Sequence, residues 1–337
     1  MKKLFGFLVV LFFTCTAMVP AARATEAPNL MVGRVYHVEG SLLRYVTEDD
    51  DWVAVVQDAP FSTGDTLYTG RNGKAELMVP NGTWIRIDDN TQVQFIGLDS
   101  DVSEIDIGAG LGRFYNNDSD LVIKATSPFG YVLAYPGSSF DYYVGENSAE
   151  VVPIKGKITF VHAGSNARYE VYPGNPSILA DQYQVSSGEA GVDPDWDGWN
   201  RSRESFWASR NRATGPSVQY LPAALRQDAY VFEENGRWER VYYDGGERLF
   251  WRPTRIDPDW APFTNGRWTE WYGDQTWIPS EPFGYVTHHY GNWIYAGGHW
   301  YWAPPVARVA VGLPLLNIGF FWYPGRVSWI HSGGYVG

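Results

Sequence analysis

The chain has 337 residues, including 16 Trp, 22 Tyr and 17 Phe, and a formal net charge of −12. An acidic chain without a basic tract lacks the clustered Lys and Arg that counterion release from a phosphate backbone requires, which excludes nucleic acid as a partner. Charged residues at 19% and this aromatic load exclude a disordered chain, and the length suggests two domains.

At the N-terminus, Lys2 and Lys3 precede the apolar run Leu4 to Phe13, and Pro20 leads to the small-x-small site Ala22-Arg23-Ala24. This pattern predicts a cleaved signal peptide over residues 1–24, because the apolar core is short for a spanning helix. Cleavage removes Cys15, the only cysteine. The mature protein then has no disulfide, no thiol chemistry and no transmembrane segment. The expected location is periplasmic or secreted (extracytoplasmic).

From Met31 to about Val185, short apolar or alternating runs are separated by Gly, Asn, Asp and Pro. The predicted strands are Val32 to Val38, Trp52 to Val55, Ala75 to Val79, Trp84 to Ile87, Gln92 to Phe95 and Leu121 to Ala125. Further strands are predicted at Tyr131 to Ala134, Ser139 to Tyr143, Glu150 to Ile154 and Lys157 to Val161. No segment here sustains helical periodicity, so the fold class is all-β, a solenoid or sandwich of short strands, over a domain at 25–190.

Gly64-Asp65-Thr66-Leu67-Tyr68-Thr69-Gly70, Ala75-Glu76-Leu77 and Asn81-Gly82-Thr83-Trp84-Ile85-Arg86-Ile87 together resemble the FecR-like domain. Thr126-Ser127-Pro128-Phe129-Gly130 and the strand-Gly-strand Val152 to Phe160 extend the resemblance, which covers roughly residues 32–188. Ser127 within Thr-Pro and Asn81 in place of Asp depart from the pattern. The resemblance implies a β-rich extracytoplasmic module. Some relatives pass an iron signal to a sigma factor through a cytoplasmic arm. Only three residues precede the apolar run here, so that role is not carried over.

A linker at 191–230 follows. Trp199, Arg203, Phe206, Trp207 and Arg210 fall at helical spacings, predicting a short amphipathic helix that docks its aromatic stripe on a domain, with Asp197 capping its start. A helical turn is also predicted around Pro222-Ala223-Ala224-Leu225.

The last region, 231–337, reads as Trp-rich β-hairpin repeats. One unit runs from Asn235-Gly236-Arg237-Trp238 to Trp251-Arg252-Pro253. The second runs from Asn265-Gly266-Arg267-Trp268 to Trp277-Ile278-Pro279, and the third from Tyr290-Gly291-Asn292-Trp293 to Trp302-Ala303-Pro304. Phe321 to Trp329 forms a degenerate fourth unit. Each unit is a hairpin that Trp-x-Pro ends, and a lone hairpin is unstable in water, so the units are expected to pack face to face. Arg237 and Arg267 are expected to lie on indole faces. Glu281 to Trp293 and the residues from Trp196 onward resemble a Trp-rich domain of unknown function. That domain normally continues past the equivalent of Gly337, which implies a truncated chain.

Candidate chemistry is sparse. His288, His289 and His299 are the only histidine cluster; adjacent histidines in a strand point to opposite faces, so aromatic-like packing is favoured over a metal site. Glu48-Asp49-Asp50-Asp51 reads as a solvated loop tip rather than a calcium loop. Glu270 and Glu281 flank a Trp-rich stretch as glycosidase carboxylates do, but many other acidic pairs would look the same. The run Val306 to Tyr323 carries Arg308, Pro314 and Asn317, which marks a core strand pair rather than a membrane span. No catalytic residue, metal ligand or cofactor is expected. The candidate ligand or stacking surface is Trp238, Trp268, Trp277, Tyr290, Trp293 and Trp302 with Arg237 and Arg267. The reading is an exported non-catalytic scaffold, interaction or sensory module with a protein partner. The alternative is glycan or cell-wall binding through exposed Trp and Tyr of the repeats.

Overall fold

The structure, a computed structural model, describes residues 31–210, 215–243, 245–305, 322–325, 331–332 and 335–336. The expected signal peptide lies outside them, as do most of the expected strand pair at 306–323 and most of the fourth unit.

The described chain is mainly β-strand. Its first half lays successive hairpins alternately into two layers. One layer contains Gly33–Glu39, Lys74–Met78, Thr83–Ile87, Ser139–Val144 and Ala149–Lys155. The other contains Leu42–Val46, Asp51–Val55, Thr66–Thr69, Gln92–Leu98, Val122–Ser127, Gly130–Ala134 and Ile158–His162. The long strand Val102–Asn116 belongs to both: residues 102–109 pair within the second layer and 110–116 within the first. Gly110 sits where it changes layer, with φ of 98°. A side chain there would meet the Thr91 backbone at 2.6 Å, so only glycine fits.

Between the layers, Leu67, Leu77, Ile85, Phe95, Ile107, Phe114 and Phe140 are fully buried. Phe61 of the first layer stacks on Phe95 of the second at 4.4 Å between ring centres. Alternation along each strand places these residues inward.

The outward face of the first layer carries charge instead. Glu76 faces Arg86, Arg86 faces Arg113 and Arg113 faces Asp141 across adjacent strands. All four are buried. Arg86 Nε donates to Glu76 at 2.8 Å, and Arg113 donates to both Asp141 oxygens at 2.6 and 2.7 Å.

The helix Pro194–Arg210 covers this ladder. Arg203 and Trp207 donate to Glu76 at 2.9 and 2.7 Å. Asn200 accepts from Arg86 through its side chain and its carbonyl, and Asp197 accepts from Arg113 at 3.0 Å. The buried stripe is therefore Trp196, Asn200, Arg203 and Trp207. Trp199, Phe206 and Arg210 of the expected aromatic stripe lie at its margin, half-exposed, because the surface being matched is ionic. The expected cap is also corrected. Asp193 Oδ1 accepts the amides of Asp195 and Trp196 at 2.9 Å, with Pro194 opening the helix, while Asp197 serves the ladder. Asp193→Ala is expected to cost about 1 kcal/mol in denaturant unfolding, and Asp193→Ser to restore most of it.

Beyond the helix, Ala223–Asp228 forms a 3-10 turn where a helical turn was predicted, and Ala229–Asn235 adds a short helix that the sequence reading did not contain. Arg34 of the first strand donates to Asp58 at 2.8 Å and to Asp228 at 2.9 Å, between the rings of Tyr36 and Tyr285 at 4.2 and 4.0 Å. This buried cluster ties the connector and the C-terminal region to the first layer. Burial pushes the Asp228 carboxyl up, and Arg34 pulls it partly back. No described helix is long and apolar enough to cross a membrane.

Candidate functional site

The three Gly-to-Pro units are hairpins in which the two tryptophans face each other directly: Trp238 with Trp251, Trp268 with Trp277 and Trp293 with Trp302. The leading glycine has a steric cause. A side chain at Gly236 would meet the Trp251 ring at 2.3 Å, one at Gly266 the Trp277 ring at 2.5 Å, and one at Gly291 the Trp302 ring at 2.9 Å. In every unit, therefore, the second indole lies on the first glycine.

The units do not stack face to face in sequence. The first and third share one sheet, joined where Trp251 pairs with Trp302. The second forms its own two-stranded sheet and docks on the N-terminal layers. Trp271 donates to Asp65 at 3.1 Å, Arg44 donates to the Glu270 carbonyl at 2.6 Å, and Tyr272 donates to the Thr63 carbonyl at 2.5 Å. Ile278 joins the apolar core between the two layers. The aromatic tip of this hairpin finds polar partners on the first module, so it leaves the line of its neighbours.

That arrangement decides which predicted residues are accessible. Trp302 is fully buried, and Trp277, Trp293 and Tyr290 are buried; Trp238 is half-buried, and only Trp268 among these aromatics is exposed, at 46%. Trp302 donates to the Tyr290 carbonyl at 2.7 Å and packs on Phe232 at 5.0 Å. The eight residues do not converge on one surface. The predicted stacking of Arg237 and Arg267 on indoles is not observed among the described residues, where guanidinium-ring contacts belong to Arg34, Arg86, Arg113, Arg203 and Arg210. Arg237 turns instead to Glu239 at 2.5 Å. Exposed guanidinium in a hairpin gains more from an adjacent carboxylate and water than from leaving both for a ring.

His288 and His289 occupy the short helix Gly284–His289 rather than a strand. Both are buried, whereas His299 is exposed. His288 Nδ1 is 2.9 Å from the Gly284 carbonyl, so it carries the proton, and Nε2 accepts the Phe263 amide at 3.1 Å. His289 Nδ1 donates to the Tyr323 carbonyl at 2.5 Å. Burial lowers His288 to about 4 and His289 to about 3. No cluster of three or more metal-binding side chains occurs among the described residues.

A pH dependence follows. The unfolded chain protonates these histidines near pH 6.5 while the folded chain keeps them neutral, so the unfolded state binds more protons below that pH. Stability is expected to fall as pH drops from about 6.5 toward 4, by roughly 1.4 kcal/mol per pH unit for each histidine. Denaturant melts of the wild type and His289→Phe check this: the variant should show a shallower acid slope.

Glu281 is buried, with Oε1 accepting from Trp260 Nε1 at 2.5 Å and Oε2 without a partner among the described residues. Burial pushes its carboxyl up, and the Trp260 hydrogen bond partly offsets this. Glu270 is exposed and contributes its carbonyl, not its carboxylate, to the contact with Arg44. The two carboxylates thus occupy unlike environments, one buried and bonded to Trp260 and the other exposed on a hairpin.

One concave surface includes two of the predicted residues. A groove of about 400 Å³ is lined by Pro216, Tyr220, Glu233, Gly236, Arg237, Trp238, Arg240 and Leu249. Trp238 is pinned there by donating to Ser217 Oγ at 2.8 Å and by an edge-on contact with Tyr220 at 5.0 Å. Tyr220 and Arg240 were not identified from sequence. Tyr220 lies in a four-residue helical turn with no repeat signature, and only the fold brings it beside Trp238.

Residues 229–337 match the model of a family of unknown function, DUF6600. The matched region starts at 229 rather than near Trp196, so the connecting helix lies outside it. No curated protein matches the chain. A crystal structure of a putative anti-sigma factor from Parabacteroides distasonis aligns with a TM-score of 0.34 at 13% identity, covering 56% of this chain and 99% of that one. A second crystal structure described in the same words gives 0.34 at 12% identity, covering 56% and 98%. At that TM-score the likeness carries no functional conclusion.

Proposed function

We propose that the protein is an exported, non-catalytic module of the cell envelope that serves as a scaffold or interaction surface for other proteins. In this reading residues 25–190 form a FecR-like unit and the Trp-rich hairpins brace it. The observation that carries it is the commitment of Trp251, Trp277, Trp293 and Trp302 to internal packing. Rings buried against glycine and against each other stabilise small hairpins and are not available as a sugar-stacking platform. The FecR-like turn residues also act in structural roles: Asp65 accepts the Ser62 amide at 2.8 Å, and Asn81 accepts the Thr83 amide at 3.1 Å.

The test is retention of the purified protein on peptidoglycan sacculi, with tryptophan emission and iodide quenching in parallel. Blue-shifted, poorly quenched emission without retention is the expected result. Retention that is lost in Trp268→Ala would establish the glycan reading instead. Export is checked separately by the intact mass of the protein from its native host, which should begin at Thr25.

A further inference from the structure

We infer that Ser165 is a nucleophilic serine, with His162 as its base, that takes an acyl group from an activated carboxylic ester. The inference goes beyond the interaction-module reading: it concerns one acyl transfer onto the protein, not turnover of a substrate.

Two turns meet at this place. One, at 163–166, joins the second-layer strand Ile158–His162 to Arg168–Val171. The other, at 181–184, joins Ile178–Ala180 of the first layer to Val185–Ser187. They are pressed together, since a side chain at Gly164 would meet the Gln182 carbonyl at 2.5 Å. His162 is only 1% exposed beneath them. Its Nε2 is 2.8 Å from the Asp181 carbonyl oxygen, which can only accept, so Nε2 carries the proton and Nδ1 is left bare. The Ser165 hydroxyl, 2.9 Å from Nδ1, is therefore the donor. Asp181 is itself held, because its Oδ1 accepts the amides of Tyr183 and Gln184 at 2.7 and 2.8 Å.

A serine nucleophile needs this relation: a hydroxyl within hydrogen-bond reach of a base, and the base oriented by a third group. The hydroxyls of Ser138, Ser202 and Ser209 instead donate to backbone carbonyls, which cannot take a proton. Ser165 is exposed while the imidazole behind it is shielded, so an ester can reach Oγ from solvent. The Ala167 amide, at 3.3 Å, occupies one lone pair of Oγ and leaves the other for attack. The Ser165 amide has no acceptor among the described residues and remains available to an oxyanion formed on its own Oγ. In the transfer, Oγ bonds to the acyl carbon as its proton passes to Nδ1. The ester C–O bond then breaks, the leaving alcohol takes that proton, and Ser165 is left acylated.

The test treats the full chain with p-nitrophenyl acetate and follows nitrophenolate release, with peptide mapping of the acetylated protein. One acetyl group should appear on Ser165, at least about a hundredfold faster than on the same chain in concentrated urea, the scale of assistance by a positioned base. Ser165→Ala should abolish that acetyl group. His162→Gln, which keeps a donor for the Asp181 carbonyl but offers no base, should slow it to the rate in urea. Should His162→Gln fail to fold, the comparison of native with urea-unfolded chain decides alone. Acetyl groups confined to lysines and the amino terminus, or a Ser165 rate no higher than in urea, overturns the proposal. So does a rate that survives His162→Gln in a folded chain.

Discussion

Replacing Glu76 by Leu is expected to destabilise the protein by about 3–5 kcal/mol, because it leaves buried guanidinium groups without their carboxylate. Glu76 is fully buried and receives Arg86, Arg203 and Trp207. Its removal takes the close carboxylate from Arg86, itself 2% exposed and left with Tyr115, Asn200 and a longer 3.6 Å contact to Glu204, and from Arg203 on the covering helix. For a domain of this size the loss corresponds to a fall in melting temperature of roughly 10 °C. The pair Glu76→Leu/Arg86→Met should cost less than Glu76→Leu alone, since two apolar side chains in contact avoid the stranded charge. Chemical denaturation of the single and double variants, with limited proteolysis of the helix Pro194–Arg210, measures both effects. Equal losses in the single and double variants would show that Arg86 keeps its solvation without Glu76, and the ladder would then contribute little.

The ladder also shows where sequence reading stops. Glu76, Arg86, Arg113 and Asp141 lie on four strands, and nothing in their local sequence marks them as buried. Alternation reveals which positions face outward, but not that a helix will cover that face. The helix was legible from spacing, and Arg203 and Trp207 of its expected stripe are buried; Trp196 and Asn200 were missed, because apolar periodicity does not register a polar residue such as Asn200 and the expected helix began only at Trp199. Short strands bounded by turn residues were legible almost to the residue, as at Ser139–Val144 and Ile158–His162. The long strand Val102–Asn116 was not, since its glycines read as turns; one of them, Gly110, instead changes the layer. In the C-terminal region the spacing of Gly and Trp located the hairpins. Their association was beyond local sequence, because it depends on which surface each hairpin meets. The His288-His289 pair was assigned to a strand for a related reason: a six-residue helix is too short to show a period.

The tryptophans that occupy equivalent places in the hairpins are expected to differ sharply in their contribution. Trp302→Ala should cost about 3–5 kcal/mol, the range for emptying a buried aromatic site. Trp302 is fully buried, packs on Phe232 and Trp238, and faces both Trp251 and Trp293 across the joined sheet. Trp302→Phe should fall between wild type and Ala, because the ring is largely kept while the Tyr290 carbonyl loses its donor. Trp268→Ala should cost less than about 1 kcal/mol, since the ring is exposed at 46% and touches mainly Trp277. Trp277→Ala should resemble Trp302→Ala, because its ring covers Gly266 and its strand anchors Ile278 in the core of the first module. Equilibrium unfolding of the four variants orders them. If Trp268 proved as costly as Trp302, the second hairpin would have to be buried among its neighbours rather than docked on the N-terminal layers. The expected inequality arises because the second hairpin commits Trp271, Ile278 and the Tyr272 hydroxyl to the first module, leaving Trp268 as its one exposed tryptophan.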